Sequence, residues 1–228
     1  MSKRMDKLNI INKLHIYTIE QGIQQLQLES SVNFIESVDL CFRLGIDPKQ
    51  ADQNIRGTTI LPSGLGKKVT IGVFADLEEK SKILEAGADD IGLEDLAEKI
   101  KKGQMFDVIL SSEDGMKIVS KLGKILGPKG IMPSIKLGTV TNNLVKAVHN
   151  LKQGQVFYRN DKYGDIKMTV GRLNFSIADL EANIIAVYHS LLNLKPQTSK
   201  GQYFRKLQIS STMGRSFNIN LASLEKGL

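Results

Sequence analysis

Tryptophan is absent from this sequence and cysteine occurs once, as Cys41. A lone thiol closes no internal disulfide and points to a reducing compartment, most simply the cytoplasm. The three histidines, His15, His149 and His189, lie far apart, so with Cys41 they form no spaced metal-ligand motif. No apolar run reaches the roughly 18 residues of a membrane-spanning helix. The amino terminus lacks the continuous apolar core and small-residue cleavage site of a secretory signal. Glycine-rich phosphate loops and the nucleophile elbow are missing too; Gly64-Leu65-Gly66-Lys67-Lys68 precedes a strand pattern where a phosphate cradle would follow one. No cofactor or metal is expected. Catalysis is left only as an alternative in which an α/β domain brings together distant acids such as Asp76 and Asp114.

What is present is an ordinary globular composition with an excess of positive charge. The 228 residues, 41% hydrophobic and 24% charged, suffice for one large core or two modest ones. The formal charge is +7, with 31 basic against 24 acidic residues, a balance found in proteins that bind nucleic acid. Its distribution says more. From Asp76 to Asp114 twelve acids face five lysines, whereas Gly115 to Asn160 contains no acid and eight cations: Lys117, Lys121, Lys124, Lys129, Lys136, Lys146, Lys152 and Arg159. Ala182 to Leu224 is again acid-free and carries Lys195, Lys200, Arg205, Lys206 and Arg215. A lysine run is ordinarily a solvated helix face, but two such stretches could together neutralise phosphates.

Hydrophobic spacing predicts a helix over Asp6–His15, and a second after the Thr18/Gln21 capping box with Ile19, Ile23, Leu26 and Leu28 inward. Val32–Leu44 reads as a strand, Asp47-Pro48 as a turn, Gln50–Arg56 as a short helix and Thr58–Leu61 as β. After the flexible Ser63-Gly64-Leu65-Gly66, short apolar runs alternate with helices: Val69–Phe74, Leu77–Ala86, Asp90–Gly92, Leu93–Lys102, Val108–Leu110, Asp114–Ile125 and Asn142–Lys152. That alternation predicts a small parallel sheet covered by helices. Beyond Gln153-Gly154, Gln155–Arg159 and Ile166–Val170 read as a hairpin around Tyr163-Gly164-Asp165. A helix Ile177–Leu194 capped by Ser176 follows, then strands Tyr203–Ser211 and Phe217–Ile219. The expected fold class is therefore α/β: an α+β outer domain from residues 1–64 and 156–228, carrying an inserted Rossmann-like three-layer α/β domain at 65–155. Two adjacent linkers, with Gly64, Gly66 and Gly154 as hinge residues, join them.

Two short segments combine backbone donors with binding chemistry. Gly123 and Gly127-Pro128-Lys129-Gly130 predict an irregular loop suited either to cradling an anion or to stiff structural turns. Thr212-Met213-Gly214 offers a hydroxyl, a flexible apolar side chain and a close backbone approach, which serve RNA recognition or a plain β-turn equally well.

Longer blocks carry a resemblance. Asp47-Pro48, Asp52-Gln53-Asn54-Ile55-Arg56-Gly57-Thr58 and Leu61-Pro62, then Leu122-Gly123-Lys124-Ile125-Leu126-Gly127-Pro128-Lys129-Gly130-Ile131-Met132-Pro133 with Lys136-Leu137-Gly138-Thr139-Val140-Thr141, resemble the large-subunit ribosomal protein one (L-one) family. Lys195-Pro196, Ser199-Lys200-Gly201 and Ser211-Thr212-Met213-Gly214 agree with its bacterial and organellar branch, so the likeness spans nearly the whole chain. Ser134-Ile135 departs from the family's more frequent Asn-Pro. The resemblance implies a noncatalytic, membrane-free component of a cytoplasmic or organellar ribosome. Its outer domain binds large-subunit rRNA at the mobile stalk beside the exit site, contacts exit-site tRNA and neighbouring large-subunit components, and assists release of deacylated tRNA. It also implies translational repression through the protein's own operon mRNA. The alternatives are a dedicated messenger repressor outside the ribosome and a small-molecule α/β enzyme.

By motif position the resemblance assigns RNA contacts to Phe34, Ser37, Asp39, Thr212, Met213 and Gly214, with Asp161, Lys162, Gly164, Lys167 and Lys206 nearby and secondary phosphate contacts at Lys124 and Lys129. Ser37 and Thr212 are expected to bond ribose or phosphate, Asp39 a ribose 2′-hydroxyl, and Phe34 and Met213 to pack on sugar or base. Core packing remains open for Phe34, and turn capping for Asp161.

Overall fold

The computed structural model describes residues 15–75 and 80–225. The expected helix Asp6–His15 therefore lies almost wholly outside the described residues, as does the start of the one expected from Leu77. The chain divides into two compact units, Met1–Gly66 with Val156–Leu228, and Lys67–Gln155.

In the first unit a five-stranded sheet runs in the order β1 (Ile16–Tyr17), β10 (Ser216–Ile219), β9 (Phe204–Ser211), β2 (Ser37–Leu44), β8 (Asp165–Arg172), antiparallel except for β1 with β10. Alternation in β2 turns Val38, Leu40, Phe42 and Leu44 into the core. Two helices supply the other half of that core. α1 (Ile19–Glu29) starts at the Thr18/Gln21 capping box and buries Ile19, Ile23 and Leu26. α7 (Ile177–Asn193), capped by Ser176, buries Leu180, Ile184, Val187 and Leu191. Each such side chain contributes about 1.5–3 kcal/mol of burial. Leu28, expected inward, is 76% exposed, because two residues past Leu26 it has turned about 200° round the helix, away from the core.

Three expectations here are corrected. The first outer strand begins at Ser37 rather than Val32, which leaves Phe34 and Ile35 exposed ahead of it. Gln50–Arg56 holds only a 3-10 turn, Ala51–Gln53, because Arg56 already opens β3 (Arg56–Ile60). The hairpin does not form: β7 (Gln155–Arg159) pairs with β3, and a single bridge, Asn160 with Ile166, joins it to β8. Asn160 makes the difference, since its side-chain oxygen Oδ1 accepts the Ile55 N–H at 2.8 Å and its backbone N–H donates to Ile55 O at 3.1 Å.

The second unit is α/β. Its parallel sheet has the order β5 (Asp90–Ile91), β4 (Ile71–Phe74), β6 (Val108–Ser111), and all four residues of β4 are buried, as expected of a parallel strand covered on both faces. The helices are α2 (Lys80–Glu85), α3 (Glu94–Lys101), α4 (Met116–Lys121), α5 (Gly123–Lys129) and α6 (Leu144–Lys152). The single helix expected over Asp114–Ile125 breaks at Leu122, whose backbone leaves the helical region. The irregular loop expected at Gly127-Pro128-Lys129 is helix instead. Leu126, fully buried, pins α5, and Gly130 ends it with a left-handed cap, φ 71°, bonded to Leu126 and Gly127 carbonyls. These backbone groups serve the helix end and do not form an anion cradle. Gly64, Gly66 and Gly154, at the junctions, have φ of 70°, 68° and 101°.

Candidate nucleic-acid interface

The sheet face opposite α1 and α7 is polar, because the residues alternating with the core set are Ser, Asp, Asn, Gln, Thr, Lys and Arg. Register aligns them in rows: Ser216, Ser210, Asp39 and Thr169; then Asn218, Gln208, Cys41 and Lys167; then Lys206, Arg43 and Asp165. Several are tied together. Thr169 donates its hydroxyl to Asp39 Oδ1 at 2.7 Å, Gln208 donates to Asn218 at 3.0 Å, and Arg43 Nε meets Asp165 at 3.1 Å. Cations and acids thus nearly balance on this face, which suits hydrogen-bonded recognition better than general adhesion to phosphate.

The upper end of β2 and the β9–β10 turn form one unit. The Ser37 N–H donates to Thr212 Oγ1 at 3.1 Å, and the Met213 N–H donates to Glu36 Oε1 at 2.8 Å. Arg215, just past the turn, donates Nε to Glu29 Oε2 at 2.9 Å, pairs with the other Glu29 oxygen as well, and lies 4.9 Å over the Phe217 ring. A Cβ at Gly214 would stand 2.3 Å from Ser211 Oγ, so a side chain there requires that hydroxyl to turn away. Phe34 and Met213, each 53% exposed, remain outside the core, which decides the core-packing alternative for Phe34. The structure therefore brings Phe34, Ser37, Thr212, Met213 and Gly214 to one end of the sheet, with Asp39 in the row behind.

Asp161, Lys162 and Gly164 belong to the other end. The Leu44 N–H donates to Gly164 O at 3.0 Å, which places this turn at the far end of β2, about 24 Å along an eight-residue strand from Ser37. Asp161 organises it. Its Oδ1 accepts the N–H groups of Tyr163 at 2.8 Å and Asp165 at 3.0 Å, and its Oδ2 meets Lys167 at 3.2 Å. Partial burial pushes this carboxyl up, but those N–H groups and the Lys167 ammonium outweigh it and hold Asp161 below the usual carboxylate range. Asp161 in turn, by its hydrogen bond and then its charge, raises Lys167. Asp161 thus caps the turn with both oxygens engaged. Gly164 closes the turn at φ 81° against Ile46. Lys162 and Lys206 are exposed, and Lys162 lies 5.0 Å over the Tyr163 ring.

Lys124 and Lys129 are exposed on α5 of the other unit. Arg43 and Glu36 were not singled out from the sequence. The signal was strand parity: Arg43 falls on the polar side of β2, and Glu36 on the side of Val38 and Leu40, where a carboxylate is out of place. Among the described residues no group of three His, Cys, Asp or Glu is placed to hold a metal ion, and no helix is long and apolar enough to cross a membrane.

Residues 26–215 match the model of the Ribosomal protein L1p/L10e family. The chain is 46% identical over 226 residues to a Large ribosomal subunit protein uL1 of Pasteurella multocida, covering 98% of this chain and 99% of the relative. Proteins of the same description from Haemophilus influenzae, 45% identical with the same coverage, and Vibrio campbellii, 44% identical over 98% of this chain and 97% of the relative, are similar along their whole lengths.

Proposed function

The chain belongs to the Ribosomal protein L1p/L10e family, and from that premise we propose that it is a structural constituent of the large ribosomal subunit that binds stalk rRNA through the polar sheet face. The observation that carries this reading is the joined end of the sheet. Thr212 and the start of β2 are hydrogen-bonded to one another, while Phe34 and Met213 stay exposed beside them. Exposed apolar side chains on a preorganised turn suit packing against sugar and base, and the adjoining hydroxyls suit ribose and phosphate. Asp39, with Oδ1 engaged by Thr169, presents the rest of its carboxylate to a 2′-hydroxyl donor. Lys162, Lys167 and Lys206 add phosphate attraction farther along the strip.

Two further roles belong to this proposal. The unit that carries Lys124 and Lys129 faces exit-site tRNA and assists release of the deacylated form, swinging about the glycines Gly64, Gly66 and Gly154. The same sheet face represses translation by binding a stalk-like element in the protein's own operon mRNA. Cosedimentation tests the ribosomal reading: after a salt wash of lysate, most of the protein should travel with large subunits. A protein left mostly in the supernatant would favour a free messenger repressor.

A further inference from the structure

Among the described residues, Glu36 is the most deeply buried acid of the sheet unit, 1% exposed, and it is only half used. Oε1 accepts the Met213 N–H at 2.8 Å, whereas Oε2 is buried with no hydrogen-bond partner. An unpartnered buried carboxylate oxygen is costly, and an apolar residue on the core-facing side of β2 would avoid that cost. What the carboxylate supplies is a fixed acceptor for one particular N–H. Its neighbours reinforce the arrangement: the Glu36 carbonyl accepts the Leu173 N–H at 3.0 Å, and the next residue, Ser37, donates to Thr212. The backbone on both sides of the carboxylate is therefore held, and the turn hangs from it at two successive residues.

We infer that Glu36 is a positioning residue for RNA recognition, setting the Thr212-Met213-Gly214 turn in its binding conformation without touching RNA; the inference rests on the rRNA-binding reading above. Preorganisation of this kind acts on affinity by removing the ordering cost of the turn. Arg215 and Glu29 brace the turn from its other side, so that loss of Glu36 loosens it without unfolding the sheet.

The test compares Glu36→Gln, which keeps an acceptor for Met213, with Glu36→Met, which has similar length and none. Two quantities are read: affinity for folded stalk RNA over a salt series, and hydrogen exchange of the Met213 amide in the free protein. Glu36→Met should lose about tenfold in affinity with an unchanged salt slope and exchange faster at Met213, while Glu36→Gln stays within about twofold of wild type in both. A residue that mattered only for global stability would not change Met213 exchange selectively at temperatures well below melting. Should Glu36→Met fail to fold, Glu36→Asp, one methylene too short to keep the bond, takes its place with the same expectations. Unchanged affinity and unchanged exchange in the variant without the bond overturn the inference. So does a rise in affinity in both variants, which would mark Glu36 as a plain negative charge near phosphate. If wild type shows no preference for stalk RNA while Met213 exchange still depends on Glu36, the RNA reading fails and the turn-holding role stands.

Discussion

Met213→Asp should weaken binding to folded stalk rRNA by about a hundredfold, roughly the scale of a binding hot spot, while leaving stability within about 0.5 kcal/mol of wild type. The side chain is half exposed and its backbone N–H keeps its bond to Glu36, so the fold loses little. Binding loses twice: a polarizable apolar contact disappears, and a carboxylate is set against the phosphate backbone. Replacing Lys124 and Lys129 together by alanine serves as the comparison and should cost much less, because those lysines lie in the other unit. Affinities of the variants by equilibrium titration, with thermal melts as the control, decide the matter. Unchanged affinity of a folded Met213→Asp protein would remove the turn from the interface, and a larger loss in the lysine pair would move the main contact to α5.

Asn183→Leu is expected to destabilise the sheet-bearing unit by about 3–5 kcal/mol, a large share of a typical domain's stability. Asn183 sits fully buried in α7 amid the stripe of Leu180, Ile184 and Val187. Its amide donates to Val170 O at 2.8 Å and Gly64 O at 3.1 Å, and its oxygen accepts the Ser63 N–H at 3.1 Å. Leucine fills much of the space but strands three backbone groups, two of them at the junction with the second unit. Urea unfolding should show the loss in the transition of the sheet unit. A change below about 1 kcal/mol would mean that water or rearranged backbone replaces the amide.

Helix positions were readable from local chemistry. Thr18 with Gln21 and Ser176 mark their helix starts, and the stripe Leu180, Ile184, Val187, Leu191 lies fully buried, because caps and periodicity act within a few residues. Pairing was not readable in the same way. β7 and β8 sit next to each other in sequence with a plausible turn between them, yet β7 pairs with β3, roughly a hundred residues earlier, and Asn160 makes that connection through contacts no local pattern contains. The helix through Gly127-Pro128 went unseen for a related reason. Glycine and proline disfavour it locally, and the burial of Leu126 overrides them.

The candidate site shows the same division. Thr212, Met213 and Gly214 could be named from their motif, but that Ser37 and Glu36 hold them follows only from the strand register. The Asp161 turn lies farther from them than motif proximity implied, at the opposite end of β2, so the candidate surface is a strip along the sheet rather than a single patch. Glu36, like Arg43, was legible in principle from strand parity: it shares the parity of Val38, Leu40, Phe42 and Leu44, and an acid in that series calls for a buried partner.

The most direct test of the central claim is equilibrium binding of the purified chain to a folded large-subunit stalk RNA, with an unrelated structured RNA as competitor and a salt titration of both. Recognition by hydrogen bonds and packed side chains on a nearly charge-balanced face predicts selective binding that persists through moderate salt. Equal and salt-labile binding to the two RNAs would contradict it, since that is what a chain of net charge +7 does through its basic surface alone.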